Sequence, residues 1–139
     1  MSYTLGIDLG TTYTAAAVTR DGRTEIFQLG DRTASIPSTV LLREDGEMLV
    51  GDAAVRRSAT EPGRGAREFK RRLGDPVPLL LGGTPYSAEA LSAHVLKTVL
   101  ADVGAREGGA PDAVAVTHPA RYSSYRMDLL PGACLLYPT

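Results

Sequence analysis

Between Thr4 and Leu9 the chain alternates, with Leu5, Ile7 and Leu9 on one side and Gly6 and Asp8 on the other. That period of two predicts a strand with one buried face. Gly10-Thr11-Thr12 reads as a tight turn, and Tyr13 to Thr19, small and β-branched, resumes as a second strand. Asp21-Gly22 suits a type I′ hairpin, because both central residues of that turn need positive φ. Glu25 to Leu29 is then the third strand, and the opening is an antiparallel three-strand meander.

Polar residues from Gly30 to Ser35 form a loop. A second hairpin is expected from Ser38 to Arg43 and Glu47 to Val50, turning at Asp45-Gly46. Gly51 and Asp52 can open a short helix through Arg57. Glu61-Pro62-Gly63-Arg64-Gly65 breaks regularity. Arg67 to Leu73 is a short helical or turn segment ended by Gly74, and Asp75-Pro76 to Gly83 is a loop carrying Leu79, Leu80 and Leu81.

The clearest helix starts at Ser87, a capping residue, with Glu89 in its first turn. Leu91, Val95, Leu96, Val99, Leu100 and Val103 recur at helical spacing, so one face is buried. Gly104 or Gly108 ends it. Asp112 to Thr117 is a short buried strand closed by His118-Pro119. Ser123 to Leu130 begins another helix, which Pro131-Gly132 stops. A meander followed by helix, strand and helix is the beginning of an α/β layered fold.

Composition narrows the choice of function. The 139 residues are 43% hydrophobic and 22% charged, which suits one globular core. A formal charge of −1 leaves no basic footprint, so nucleic acid is not an expected partner. Cys134 is the single cysteine, which excludes a disulfide framework and a thiolate zinc site. No basic leader with an apolar run opens the chain, and no stretch approaches the ~20 apolar residues that cross a bilayer. A cytoplasmic protein without a membrane partner is expected.

The chemistry concentrates in Gly6-Ile7-Asp8-Leu9-Gly10-Thr11-Thr12-Tyr13. Glycine lets a backbone approach a ligand closely, and successive N–H groups in such a turn form an anion nest. The threonine hydroxyls add donors. Asp8 would face the Mg²⁺ that accompanies a nucleotide, a cation that keeps several waters and takes one or two carboxylates. The plainer alternative is a hairpin that merely turns the chain. Against it, a carboxylate among Leu5, Ile7 and Leu9 is costly to bury without a partner. No P-loop signature is present. His94 and His118 lack a second ligand at metal spacing, and Ser123 and Ser124 lack a nearby base. Lys70 is one cation in the group Arg64, Arg67, Lys70, Arg71 and Arg72, which by composition alone is a solvated basic face.

The opening octapeptide resembles the first phosphate motif of the sugar kinase, actin and heat-shock protein 70 superfamily. Three further segments point to the heat-shock protein 70 (DnaK-type) chaperones. Ile36-Pro37-Ser38 with Val50-Gly51-Asp52-Ala53-Ala54 resembles that family's Pro-Ser strand and Val-Gly-Asp/Glu-x-Ala segment. Phe69-Lys70-Arg71-Arg72-Leu73-Gly74 resembles its Lys-Arg-x-x-Gly motif, and Val114-Ala115-Val116-Thr117-His118-Pro119-Ala120 its Val-Thr-x-Pro-Ala strand end.

The resemblance implies a ribonuclease-H-like, actin-like ATPase fold, of which residues 1–139 are an incomplete first lobe. A small subdomain is inserted over residues 30–83, and residues 131–139 form an atypical tail. It implies ATP or ADP with Mg²⁺ as cofactors. Gly10, Thr11, Thr12 and Tyr13 would wrap the β- and γ-phosphates, Asp8 would hold the metal through water, and Lys70 would position the attacking water. Pro119 would match a proline that signals between domains. Unfolded peptide clients and co-chaperones are implied for a full-length parent.

The second phosphate motif, the adenosine motif and a second lobe have no counterpart in the sequence, and Arg121 precedes Tyr122 where the family has its aromatic. A truncated product that is inactive alone is therefore expected, with the ATPase activity belonging to the parent. Two alternatives are a sugar or glycerol kinase of the same superfamily and a non-catalytic fragment. In the latter, the helix face around Leu91, Val95 and Val99 would be poorly covered.

Overall fold

In the computed structural model, residues 2–118 and 135–138 are described. In chain order the strands and helices are β1 (Thr4–Leu9), β2 (Tyr13–Arg20), β3 (Arg23–Phe27), β4 (Ile36–Pro37), β5 (Thr39–Leu42), β6 (Met48–Val50) and α1 (Asp52–Ser58). There follow β7 (Gly65–Arg67), β8 (Leu79–Leu81), β9 (Thr84–Tyr86), α2 (Ala88–Glu107), β10 (Ala113–His118) and β11 (Leu135–Pro138). Short 3₁₀ turns occupy Pro62–Arg64 and Phe69–Arg72. The helix expected from Ser123 to Leu130, and Pro119, lie outside the described residues.

The main sheet runs β11-β10-β1-β2-β3, with β4 paired to the start of β2. Strands β1, β2 and β3 form the expected meander. Its second turn is tight, with Asp21 at φ 53° and Gly22 at φ 74°, so Arg20 already pairs with Arg23. The third strand therefore occupies Arg23–Phe27 rather than Glu25 to Leu29. Strand β10 joins the other edge of β1 in parallel, from Thr4 opposite Ala113 to Ile7 opposite Val116. Strand β11, Leu135–Pro138, lies parallel beside β10.

A second sheet, β6-β5-β7, holds the hairpin expected around Asp45-Gly46. Its third strand, β7, occupies Gly65–Arg67, where only a break and the start of a turn are expected. The segment from Asp75 to Gly83 is also more regular than a loop. Gly82 and Gly83 take φ 58° and 83°, and Leu81 pairs with Thr84 across them to make the hairpin β8–β9. Two consecutive left-handed residues between short strands are the geometry of a type I′ turn.

Arg64 is not part of a solvated basic face. Its Nε donates to the Leu42 carbonyl at 2.7 Å and Nη2 to the Arg43 carbonyl at 3.1 Å. The guanidinium also lies against Gly82, where a Cβ would collide with it. One side chain thus ties the hairpin β8–β9 to β5.

Helix α2 packs against β1, β5, β6 and the Phe69–Arg72 turn. It buries Leu91, Val95, Leu96, Val99 and Val103 in one core with Leu5, Ile7, Leu9, Val18, Val40, Phe69, Leu73 and Val116. Leu91, Val95 and Val99 are each 0% exposed, so the poorly covered helix face does not occur. Both sheets contribute to covering it. Ser87 Oγ accepts the Ala90 N–H, and Gly108 at φ 85° ends the helix.

His94 sits part-buried on α2 with the Tyr86 ring edge-on at 6.3 Å. Burial, and secondarily the Lys97 charge, lower its pKa from 6.5. The unfolded chain therefore takes up this proton first as pH falls, and the folded state loses stability below the ordinary histidine range. His94→Gln is expected to remove that part of the acid loss, read from urea unfolding at about pH 7 and about pH 5. An unchanged pH dependence would contradict this.

Candidate functional site

The C-terminal ends of parallel strands in an open α/β sheet are where ligands commonly bind. Here the parallel pair is β1 and β10, and the candidate residues from four segments converge on that end. The turn leaving β1 is closed by the Gly10 N–H donating to the Tyr13 carbonyl at 3.0 Å. A Cβ on Gly10 would come nearer the Tyr13 oxygen than the 3.0 Å that real Cβ atoms respect. Glycine is required here by close approach rather than by positive φ. Thr11 is half-buried, and Thr12 and Tyr13 are exposed, Tyr13 by 58%.

Asp8 is exposed, contrary to the burial that its place among Leu5, Ile7 and Leu9 suggested. The alternation that buries those three residues turns Asp8 to the opposite face, where Gly6, Ala15, Ala17 and Ala115 are its small neighbours in register. Its carboxylate accepts a hydrogen bond from Thr117 Oγ1 on β10 at 2.7 Å. The carboxylate is thus oriented without being desolvated.

Lys70 comes from a distant part of the chain. Glu68 takes a left-handed conformation, φ 56° and ψ 24°, and the 3₁₀ turn that follows buries Phe69 and Lys70 side by side. Lys70 is only 9% exposed, and its Nζ donates a hydrogen bond to the Leu9 carbonyl, directly before the Gly10 turn. The exposed neighbours Arg67 and Arg71 point the basic character outward, but Lys70 is turned in. The structure therefore brings Lys70 to the elbow that carries Gly10, Thr11, Thr12 and Tyr13.

Two buried hydroxyls, Thr14 and Ser38, support the turn from below. Ser38 Oγ donates to the Gly10 carbonyl at 2.8 Å and lies 2.7 Å from Thr14 Oγ1. The Ser38 N–H donates to the Thr12 carbonyl at 2.8 Å. From sequence, Ser38 and Thr117 stand out only as parts of strand motifs, and Thr14 has no role. A serine directly after a proline, between two short strands, was the available signal.

A cleft of about 590 Å³ opens beside the turn, walled by Thr12, Tyr13, Val55, Ser58, Arg67 and Glu68. A hollow of about 540 Å³ beside β3 lies away from the turn, and its Arg20 and Glu107 pair at 2.9 Å.

The arrangement suits an anionic, phosphate-like group: a glycine turn too tight for a side chain, threonine donors, one ammonium and one oriented carboxylate. Among the described residues no group of three or more His, Cys, Asp or Glu could hold a metal ion. The single carboxylate of Asp8 fits a hydrated Mg²⁺ carried in with phosphate, not a protein-caged cation.

A family model described as "Hsp70 protein" matches residues 4–78, a span that begins at β1 and includes the turn, Ser38 and Lys70. The chain belongs to the Hsp70 family. It is 35% identical over 127 residues to the chaperone protein DnaK of Elusimicrobium minutum (strain Pei191), covering 88% of this chain and 20% of that protein. To the chaperone protein DnaK of Endomicrobium trichonymphae it is 32% identical over 127 residues, with the same coverage. The chain spans about a fifth of the length of these Hsp70 relatives. Hsp70 membership carries the actin-like ATPase fold, with which the mixed α/β architecture agrees. No helix among the described residues is long and apolar enough to cross a membrane.

Proposed function

We propose that this chain is the first part of the ATPase domain of a DnaK-type chaperone and supplies the phosphate side of its nucleotide site. In this reading, residues 30–83 are a subdomain inserted into an incomplete first lobe with a ribonuclease-H-like core. Gly10, Thr11, Thr12 and Tyr13 wrap the β- and γ-phosphates of ATP or ADP. Asp8, oriented by Thr117, holds Mg²⁺ through water. Lys70 offsets charge on the transferring phosphoryl group and positions the attacking water. Phosphoryl transfer is mainly positioning and electrostatic stabilisation, which is what such residues supply. The carrying observation is that the buried Lys70 ammonium meets the Leu9 carbonyl at the mouth of the turn.

The parent protein would hydrolyse ATP slowly in the cytoplasm and couple hydrolysis to holding unfolded peptide. A sugar or glycerol kinase is not favoured by the family match.

This chain alone should bind Mg-ATP weakly, because groups from one side of a cleft do not offset the entropy cost of association. Calorimetry and amide chemical shifts with Mg-ATP test this, with a millimolar dissociation constant expected. Micromolar affinity would overturn the expectation of weakness. Lys70→Met keeps most of the stem and removes the charge, and should weaken binding roughly ten-fold, the scale of one charge-assisted hydrogen bond. Equal affinity in Lys70→Met would remove Lys70 from the site.

A further inference from the structure

We propose that the buried hydroxyl pair Ser38 and Thr14 is a positioning device for the Gly10–Tyr13 turn, holding it in its anion-binding shape from the strand segment β4–β5. The inference rests on the phosphate-site reading above and adds residues to which that reading gives no part. Both side chains are shielded from water, Thr14 at 0% and Ser38 at 3% exposure. A buried hydroxyl without partners is costly, so a pair kept at this depth must be satisfied. Ser38 Oγ gives its proton to the Gly10 carbonyl, which leaves its lone pairs to accept from Thr14 Oγ1. The donor directions are thereby fixed: Thr14 to Ser38, Ser38 to Gly10.

The backbone completes the clamp. Ser38 N–H takes the Thr12 carbonyl, so one residue binds two carbonyls of the turn, those of Gly10 and Thr12. Holding both oxygens at Ser38 limits how far the turn can open. Register reinforces the clamp, since Tyr13 and Thr14 pair with Pro37 and Ile36 immediately before Ser38. Continued by one residue, that register places Ser38 opposite Thr12, where its N–H serves the Thr12 carbonyl. The segment is also anchored at its far side, because the Gly51 N–H donates to the Thr39 carbonyl at 2.9 Å. A displacement of the second sheet would therefore be felt at the turn through Ser38.

The test uses the whole chain, Ser38→Ala, Thr14→Val and the hydroxyl-retaining Thr14→Ser, with Mg²⁺-pyrophosphate as probe. Amide shifts of Gly10, Thr11 and Thr12 give the affinity. Hydrogen exchange at the amides of residues 10 and 38, relative to buried amides of α2, gives the local rigidity. Ser38→Ala should weaken pyrophosphate binding roughly ten-fold by leaving Gly10 O and Thr14 Oγ1 without their partner. It should also raise exchange at residues 10 and 38 selectively. Thr14→Val should act in the same direction more weakly, and Thr14→Ser should restore both readouts. A general loss of packing would raise exchange in α2 as well and would not be rescued by Thr14→Ser; that pattern overturns the proposal. Binding and exchange ratios within two-fold of the unsubstituted chain in Ser38→Ala would also overturn it. If pyrophosphate fails to shift the unsubstituted chain, the phosphate reading falls, and the clamp then stands or falls on the exchange ratio.

Discussion

Phe69→Ala is expected to cost about 3–5 kcal/mol of folding stability. Phe69 is 2% exposed and lies in the one core cluster with Leu73, Leu91 and Val95, so truncation leaves a void that rigid neighbours on two sheets and α2 cannot close. The loss is a large fraction of the roughly 5–15 kcal/mol that holds a domain of this kind together. A second consequence follows from position. Glu68 is a non-glycine residue in the left-handed region, a conformation that persists only when its surroundings enforce it. The buried ring of Phe69 is the nearest such restraint, and Lys70 follows it. Urea unfolding should show a lower midpoint at similar slope, with loss of the ordered Lys70 environment. A cost below about 1 kcal/mol would mean that the ring is not a keystone of the core.

Gly10→Ala is expected to cost about 1–3 kcal/mol, as an overpacked site does, and to abolish whatever anion binding the turn supports. The added methyl collides with a carbonyl oxygen of the backbone rather than with a pliable side-chain tip. Relief requires the turn to open, which breaks the hydrogen bond from Gly10 to Tyr13 and pulls on Ser38. Gly63→Ala is the internal control, since a Cβ there meets nothing within 4 Å and the residue does not have positive φ. It should change stability by no more than about 0.5 kcal/mol. Equal effects in the two variants, read by thermal unfolding, would contradict the close-approach argument.

Regular alternation made the first strands legible, and a long apolar stripe with Ser87 and Gly108 at its ends did the same for α2. Short elements were harder. Strand β7 is three residues, Gly65, Ala66 and Arg67, with no alternation to read; it exists because Leu41 and Val40 offer an edge. Gly82-Gly83 was a hairpin signal, hidden because Leu79-Leu80-Leu81 reads as an apolar run rather than as an alternating strand. At the site, the phosphate-turn motif was visible in Asp8 to Tyr13, and Lys70 stood out only by family resemblance. Composition cannot tell a buried lysine from its solvated neighbours Arg67 and Arg71. What separates them is the kink at Glu68, a tertiary feature. Alternation alone puts Asp8 on the face opposite Leu5, Ile7 and Leu9; whether that second face is covered or open depends on what packs against the sheet, and here Asp8 is exposed.

The parallel pairing of β1 with β10 joins segments 109 residues apart. On a ribosome adding about 5–20 residues per second, β1 leaves the exit several seconds before its neighbour exists. The β1–β2–β3 ribbon forms from near neighbours and can wait, but the central strand keeps one unpaired edge during that interval. Closure then carries the entropy of a very long loop and arrives late, so nascent chains should be most vulnerable to strand-mediated aggregation, and most in need of protection, before Ala113 to His118 emerge.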